Sequence, residues 1–193
     1  MGSGNITEIR WHGRGGQGAK TAALLFADAA MSEGKYIQAF PEYGPERMGA
    51  PVQSFNRLSE SPITLHCAIS NPKYVVVLDP TLISSVDVLA GMPDDGKVII
   101  NTGKKPAEIK AELKIKNIKV YTIDASKIAK ETIGRDIPNT PMLGAMAKAT
   151  GLLNFEMLIK DLEVKLKKKF ASKPEIIAGN INAVKRAYEE VIS

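Results

Sequence analysis

Six consecutive residues, Gly13-Arg14-Gly15-Gly16-Gln17-Gly18, carry the clearest chemistry in the sequence. Glycines remove side chains where a phosphate must approach the backbone, arginine offers a planar, charge-assisted clamp, and glutamine adds a neutral donor. Gly13, Gly15 and Gly18 also spell the dinucleotide pattern G-x-G-x-x-G. That pattern asks for an acidic residue about twenty positions on, at the end of the next strand, to hold a ribose. Glu33 has the spacing but falls at a helix end, and Glu42 has the place but comes late. The residues therefore point to phosphate recognition, with a tight turn and close helix-sheet packing as the other use of the same glycines.

The elements that must position this loop are legible on both sides of it. Ile6 to Arg10 predicts a strand, Gln17 to Ser32 a helix with Ala22, Leu25, Phe26, Ala29 and Ala30 at helical spacing, Gly34 a stop, and Tyr36 to Phe40 a second strand. Together they predict a βαβ unit in which the first N–H groups of the helix face an anion. A Pro/Gly-rich loop from Pro41 to Pro51 follows, carrying Glu42, Tyr43, Glu46 and Arg47. Val52 to Leu58 is read as a strand although its apolar residues are three apart. The apolar runs Tyr74 to Leu78, Val98 to Ile100 and Val120 to Ile123 predict parallel strands covered on both faces. They end at Asp79, Asn101 and Asp124, on the edge where open α/β sheets bind ligands. Capping is the other use of such residues, and it is favoured for Asp124 before Ala125 to Ile133, with Gly134 as the matching stop.

The remainder predicts helices. Thr140 is placed as a cap before Pro141, and Gly144, Ala145, Ala147 and Ala149 allow close approach to a neighbour. Met142 and Met146 are read as core filler. Asn154 is a cap for a helix with the stripe Phe155, Leu158, Ile159, Leu162, Leu166 and Phe170, leaving Lys165, Lys167, Lys168 and Lys169 mostly on the other side. Ser172 and Glu175 are spaced as a capping box before a last helix bearing Ile177, Ile181, Val184, Tyr188 and Val191. The fold class is α/β: a Rossmann-like, mainly parallel sheet wrapped by helices, with a helical C-terminal third. One domain over residues 1–193 is expected, its α/β core at about 1–135 and its C-terminal helices at about 139–193.

Composition narrows the function. Net charge is +5, but the lysine cluster has no interleaved aromatics for stacking bases, so a solvated face is expected rather than a nucleic-acid groove. Twenty lysines against six arginines hint at a thermophile. No apolar run is long enough to span a membrane, and the N-terminus lacks the features of a secretory signal, so a cytoplasmic location is expected. Cys67 is the single cysteine, which excludes an intrachain disulfide and a cluster held by this chain's own thiolates. His66 beside it, read as strand, points to the opposite face and makes a poor metal site. Nothing in the sequence around Glu42 and Glu46 points to an apolar pocket that would make either a general base.

With Gly-Arg-Gly-Gly-Gln-Gly after the first strand, Tyr43-Gly-Pro-Glu-Arg47 after the second, and Asn139-Thr-Pro-Met-Leu-Gly-Ala145 before the late helices, the chain resembles the gamma subunits of 2-oxoacid:ferredoxin oxidoreductases over nearly its whole length. It looks most like those of pyruvate or 2-ketoisovalerate ferredoxin oxidoreductase; Met48 stands where many such subunits have a second glycine. The resemblance implies a cytoplasmic, multi-subunit enzyme of anaerobic metabolism, pyruvate synthase-like. Such an enzyme converts a 2-oxoacid and coenzyme A to acyl-CoA (acetyl-CoA from pyruvate) and carbon dioxide while reducing ferredoxin. It implies alpha, beta and delta partners holding thiamine diphosphate, magnesium and 4Fe-4S clusters, and an isolated chain that is inactive. For this chain it implies scaffolding and a contribution near coenzyme A from Gly13, Arg14, Gly15, Gly16, Gln17, Gly18, Tyr43 and Arg47, with Tyr43 stacking on adenine or packing under its loop. An intersubunit salt bridge is the other use of Arg14 and Arg47. Two readings compete: a free-standing NAD(P)-binding oxidoreductase, and a purely structural subunit whose glycine loop binds nothing.

Overall fold

Six strands form one sheet in the computed structural model, which describes residues 6–41 and 48–193. They are β1 (Thr7–Arg14), β2 (Tyr36–Pro41), β3 (Pro51–Ser59), β4 (Tyr74–Val77), β5 (Lys97–Asn101) and β6 (Lys119–Ile123), in spatial order β2-β3-β1-β4-β5-β6. The pairings β1–β4, β4–β5 and β5–β6 are parallel. β3 runs antiparallel to both β1 and β2, so five of the six strands share one direction. The sheet is thus mainly parallel, as expected.

The expected βαβ unit is split. β3 lies between β1 and β2, pairing Thr7 with Leu58 and Arg14 with Pro51. Buried polar pairs hold that register: Trp11 Nε1 donates to Asn56 Oδ1 at 2.7 Å, Asn56 Nδ2 donates to the Ala23 carbonyl at 3.0 Å, and Arg57 Nε donates to Glu8 Oε1 at 2.8 Å. A one-residue slip would leave all of them without partners, at roughly 1–3 kcal/mol each. Because both faces of β3 are covered, residues 54–59 are all buried, which is why its apolar residues do not alternate.

Helices cover the sheet on two sides. On one lie α1 (Ala19–Ser32), α3 (Ala125–Ile133), α4 (Asn139–Thr150), α5 (Phe155–Lys169) and α6 (Pro174–Glu190), packed over Ile9, Trp11, Val76 and Ile99. On the other lie a 3-10 turn (Pro80–Ser84), α2 (Pro106–Glu112) and the segment around Val88, over Val75, Val77, Val98 and Ile100. Residues 140–147 of α4 are all buried, leaving Lys148 as its exposed residue. Gly144 lets it meet the backbone of α6 at Val184.

Several boundaries differ from expectation for local reasons. β1 continues to Arg14, so the first two residues of the glycine segment are strand; α1 starts only at Ala19, because Gly16 and Gly18 have φ of 96° and 85°, outside the right-handed helical region. α4 begins at Asn139 with Pro138 before it, and the Thr140 hydroxyl donates to Asn180 Oδ1 at 3.0 Å instead of capping. The Ser172–Glu175 capping box does not form: Pro174 takes the first helical position and puts Lys173 at the cap. Asp124 and Asn154 do cap α3 and α5, through the Lys127 and Met157 amides. In the basic cluster, Lys165 pairs with Asp161 and Asp28 and Lys167 with Glu163, as suits a solvated face. His66 and Cys67 lie outside any strand, in a segment tied down by Arg57 Nη2, which donates to the Cys67 carbonyl at 2.6 Å. The opposite-face expectation for this pair therefore does not apply, and both line one shallow cavity. Among the described residues no group of three or more His, Cys, Asp or Glu is arranged to hold a metal ion, and no helix is long and apolar enough to cross a membrane.

Candidate functional site

At the carboxyl ends of β1 and β4 the chain departs in opposite directions, from β1 through α1 toward β2 and from β4 toward β5. That divergence opens a crevice at the sheet edge, the usual ligand position in open α/β sheets. The glycine segment sits in it.

Hydrogen bonds fix the shape of the segment from three sides. The Gly15 amide donates to the Ala50 carbonyl at 2.9 Å and the Gly49 amide to the Gly15 carbonyl at 3.1 Å, extending the β1–β3 ladder into the loop. The Gln17 amide closes a turn onto the Arg14 carbonyl at 3.0 Å. The Gln17 side chain spans inward: Oε1 accepts from the Arg14 amide at 2.8 Å and Nε2 donates to Asp79 Oδ2 at 2.7 Å. Gln17 thus braces the loop. Gly13 packs against the helix, since a Cβ there would sit 3.1 Å from the Ala19 Cβ, and a Cβ on Gly18 would sit 2.7 Å from Asn139 Nδ2 at the start of α4. Gly16 has nothing within 4 Å of its Cβ position. Gly13 and Gly18 therefore serve packing, and Gly16 opens toward solvent.

Above the loop lies a cleft of about 480 Å³, lined among others by Arg14, Gly16, Lys20, Thr21 and Met48. The first backbone bond of α1 runs from the Ala22 amide to the Gly18 carbonyl at 2.9 Å, so the Ala19, Lys20 and Thr21 N–H groups precede the helical ladder. No side chain caps this end and no acidic residue lies in its first turn. Such an end attracts anions, and Lys20 and Arg14 add two positive charges.

Arg14 is held in place. Nε and Nη2 donate to Thr81 Oγ1 at 3.2 and 2.8 Å, Nη1 donates to the Gly49 carbonyl at 3.1 Å, and Nε lies 3.2 Å from Asp79 Oδ2. Asp79 Oδ1 in turn accepts from the Thr81 amide at 2.9 Å and the Thr81 hydroxyl at 2.6 Å. Burial alone would raise the Asp79 pKa; the hydrogen bonds from Thr81 and Gln17 and the Arg14 charge outweigh it and hold the carboxyl below its usual range. Asp79 is ionised at neutral pH.

The six residues Gly13 to Gly18 are therefore brought together at one edge, whereas Tyr43, Arg47 and the carboxylates Glu42 and Glu46 lie outside the described residues. Lys20 and Thr21 were not singled out from the sequence; their position in the first turn after the last glycine is the signal that marks them. Asp79 is legible in the sequence only as a strand end or a cap, and Thr81 not at all; the carboxylate does cap the 3-10 turn, through the Thr81 amide. Asn101, the second polar strand end, ties β4 to α3 through the Leu78 carbonyl at 2.8 Å and Ser126 Oγ at 3.0 Å. Glu33 does not serve a nucleotide ribose: its Oε1 accepts from the Asn154 amide at 2.7 Å and its Oε2 pairs with Lys35.

Comparison with known proteins gives this geometry its context. The sequence profile of the family described as pyruvate ferredoxin/flavodoxin oxidoreductase matches residues 8–190. The chain is 50% identical to the "Pyruvate/ketoisovalerate oxidoreductases common subunit gamma" of Pyrococcus abyssi, over 96% of this chain and 97% of that protein. It is similar to the crystal structure of pyruvate oxidoreductase subunit PORC from Thermotoga maritima, with a TM-score of 0.83 and 43% identity over 97% of each chain. A 2-oxoglutarate:ferredoxin oxidoreductase from Magnetococcus marinus, solved with 2-oxoglutarate, coenzyme A and succinyl-CoA bound, shares the fold at 21% identity and a TM-score of 0.76, over 95% of this chain and 30% of its own. A split βαβ unit, a glycine loop at the switch of the sheet and a profile match across almost the entire length make the conclusion direct: the chain belongs to the pyruvate ferredoxin/flavodoxin oxidoreductase family.

Proposed function

We propose that the chain is the gamma subunit of a multi-subunit pyruvate or 2-ketoisovalerate ferredoxin oxidoreductase, working with alpha, beta and delta subunits and passing electrons to ferredoxin. Its role is to scaffold the complex and complete the coenzyme A site. The observation that carries this reading is the cleft where the α1 amino terminus, the open Gly16 turn, Arg14 and Lys20 converge. Amide donors and two cations in a volume of about 480 Å³ suit a phosphate of coenzyme A. Tyr43 and Arg47, which stand between β2 and β3 in the sequence, are proposed to complete the site.

Oxidative decarboxylation is assigned to thiamine diphosphate with magnesium, and single-electron transfer to 4Fe-4S clusters, all in partner subunits; Cys67 as the only cysteine is in keeping with that division. The residues of this chain bind and orient. Arg14 and the α1 amide groups hold the phosphate end of coenzyme A, which directs the thiol toward partner-held chemistry.

Arg14→Ala in the reconstituted complex is expected to raise the KM for coenzyme A about tenfold or more, the loss of a charge-assisted contact worth roughly 1.5–3 kcal/mol. Initial rates against coenzyme A concentration, with native mass spectrometry to verify assembly, provide the check. An unchanged KM in an intact complex would remove this assignment.

A further inference from the structure

Asp79 presents a contradiction if the cleft binds phosphate. An ionised carboxylate whose Oδ2 lies 3.2 Å from Arg14 Nε adds negative charge beside a proposed anion site. Coulomb repulsion alone would make it unfavourable there. Its contacts show what it does instead.

We infer that Asp79, acting with Thr81, is a positioning residue for the anion cleft: it fixes the Arg14 guanidinium and the Gln17 brace in their binding arrangement before any ligand arrives. This inference rests on the reading of the cleft as a coenzyme A phosphate site. Both carboxylate oxygens are committed, Oδ1 to the Thr81 amide and hydroxyl and Oδ2 to Gln17 Nε2 and Arg14 Nε. The Thr81 hydroxyl, having donated to Asp79, accepts from both Nε and Nη2 of Arg14. With Nη1 on the Gly49 carbonyl, three of the five guanidinium N–H groups are engaged from the side facing the protein. Among the described residues this leaves one hydrogen on each terminal nitrogen, on a side chain 30% exposed and lining the cleft. An arginine otherwise free to sample its rotamers is thereby presented in one orientation, so that binding an anion does not have to order it.

The network also links two strands. Asp79 and Thr81 follow β4, Arg14 ends β1 and Gln17 follows it, and Gly49 precedes β3. The anion site is therefore assembled from three chain segments, and the carboxylate is the node that the β1 and β4 segments share.

The sign of one substitution separates positioning from plain electrostatics. Asp79→Asn keeps the size of the side chain but removes the charge and turns an N–H₂ group toward either the Gln17 and Arg14 donors or the Thr81 donors. If Asp79 only contributed field, its loss would tighten coenzyme A binding; if it positions Arg14, its loss weakens binding. We expect the KM for coenzyme A to rise about tenfold in the reconstituted complex, with the KM for the 2-oxoacid unchanged. In the Arg14→Ala background the same substitution is expected to add less than twofold, because the group it positions is gone. Thr81→Val, which removes only the bridging hydroxyl, is expected to raise the KM severalfold and serves if Asp79→Asn impairs assembly. A lowered or unchanged KM in both single variants, or effects that multiply fully with Arg14→Ala, would overturn the inference while leaving the coenzyme A reading intact. An Arg14→Ala complex with normal coenzyme A dependence would overturn both.

Discussion

Alanine at Gly144 is expected to destabilise the chain by about 3 kcal/mol or more, at the upper end of overpacking effects. A Cβ at that position would meet the Val184 carbonyl oxygen of α6 well inside contact distance and lie 3.2 Å from the Tyr188 amide nitrogen. Both neighbours are backbone, so no rotamer change relieves the clash; α4 and α6 must separate along their length. The separation would also loosen Met142, Met146, Ala183 and Ala187, all completely buried. For a chain of this size the loss corresponds to a fall in Tm of roughly 6–12 °C. Thermal melts of the two proteins side by side provide the measurement. A difference below about 1 °C would mean that the helices do not approach closely at this point.

The second large effect concerns pH. His12 is 2% exposed in the middle of β1, and its Nε2 accepts from Arg10 Nε at 2.9 Å. Burial, reinforced by the Arg10 charge, lowers its pKa to about 4, the Val88 backbone contact acting weakly in the other direction. In the unfolded chain an ordinary histidine titrates near 6.5. Between these values the unfolded state binds a proton that the folded state refuses. The stability associated with neutral His12 is therefore complete above about pH 6.5 and is lost progressively as pH falls toward 4, by about 3 kcal/mol in all. Urea unfolding at pH 7, 5.5 and 4.5, compared with His12→Gln, isolates this contribution from that of the carboxylates. Glutamine retains an acceptor for Arg10 but does not titrate. Equal pH dependence in the two proteins would show that His12 is not the group responsible.

Where the sequence was explicit, it was so because one physical demand dominated. The apolar runs that became β4, β5 and β6 had to be buried, and Asp124, Asn154 and Gly134 stand at helix ends because no other local use of those residues competes. The strand order was not legible. Nothing within β3 announces that it inserts between β1 and β2; that follows from Asn56 and Arg57 finding Trp11 and Glu8, partners more than forty residues away. The glycine loop was visible as a phosphate motif, whereas its support was not. Gln17 reads as a ligand donor until Asp79, sixty-two residues on, is seen to claim it. Long-range polar pairing of this kind leaves no periodicity for a local reading to detect.

The insertion of β3 has a consequence for the order in which the molecule can be made. The glycine loop is synthesised before its partners, and Arg14 waits thirty-five residues for the Gly49 carbonyl and sixty-seven for the Thr81 hydroxyl. Closing loops of those lengths costs chain entropy that local contacts do not return, so the nascent loop has no means of holding its arginine by itself. The motif is in this sense made well before it can acquire its working shape, and a chain arrested before β4 would carry every residue of the loop without the Asp79 and Thr81 contacts that hold Arg14 and Gln17.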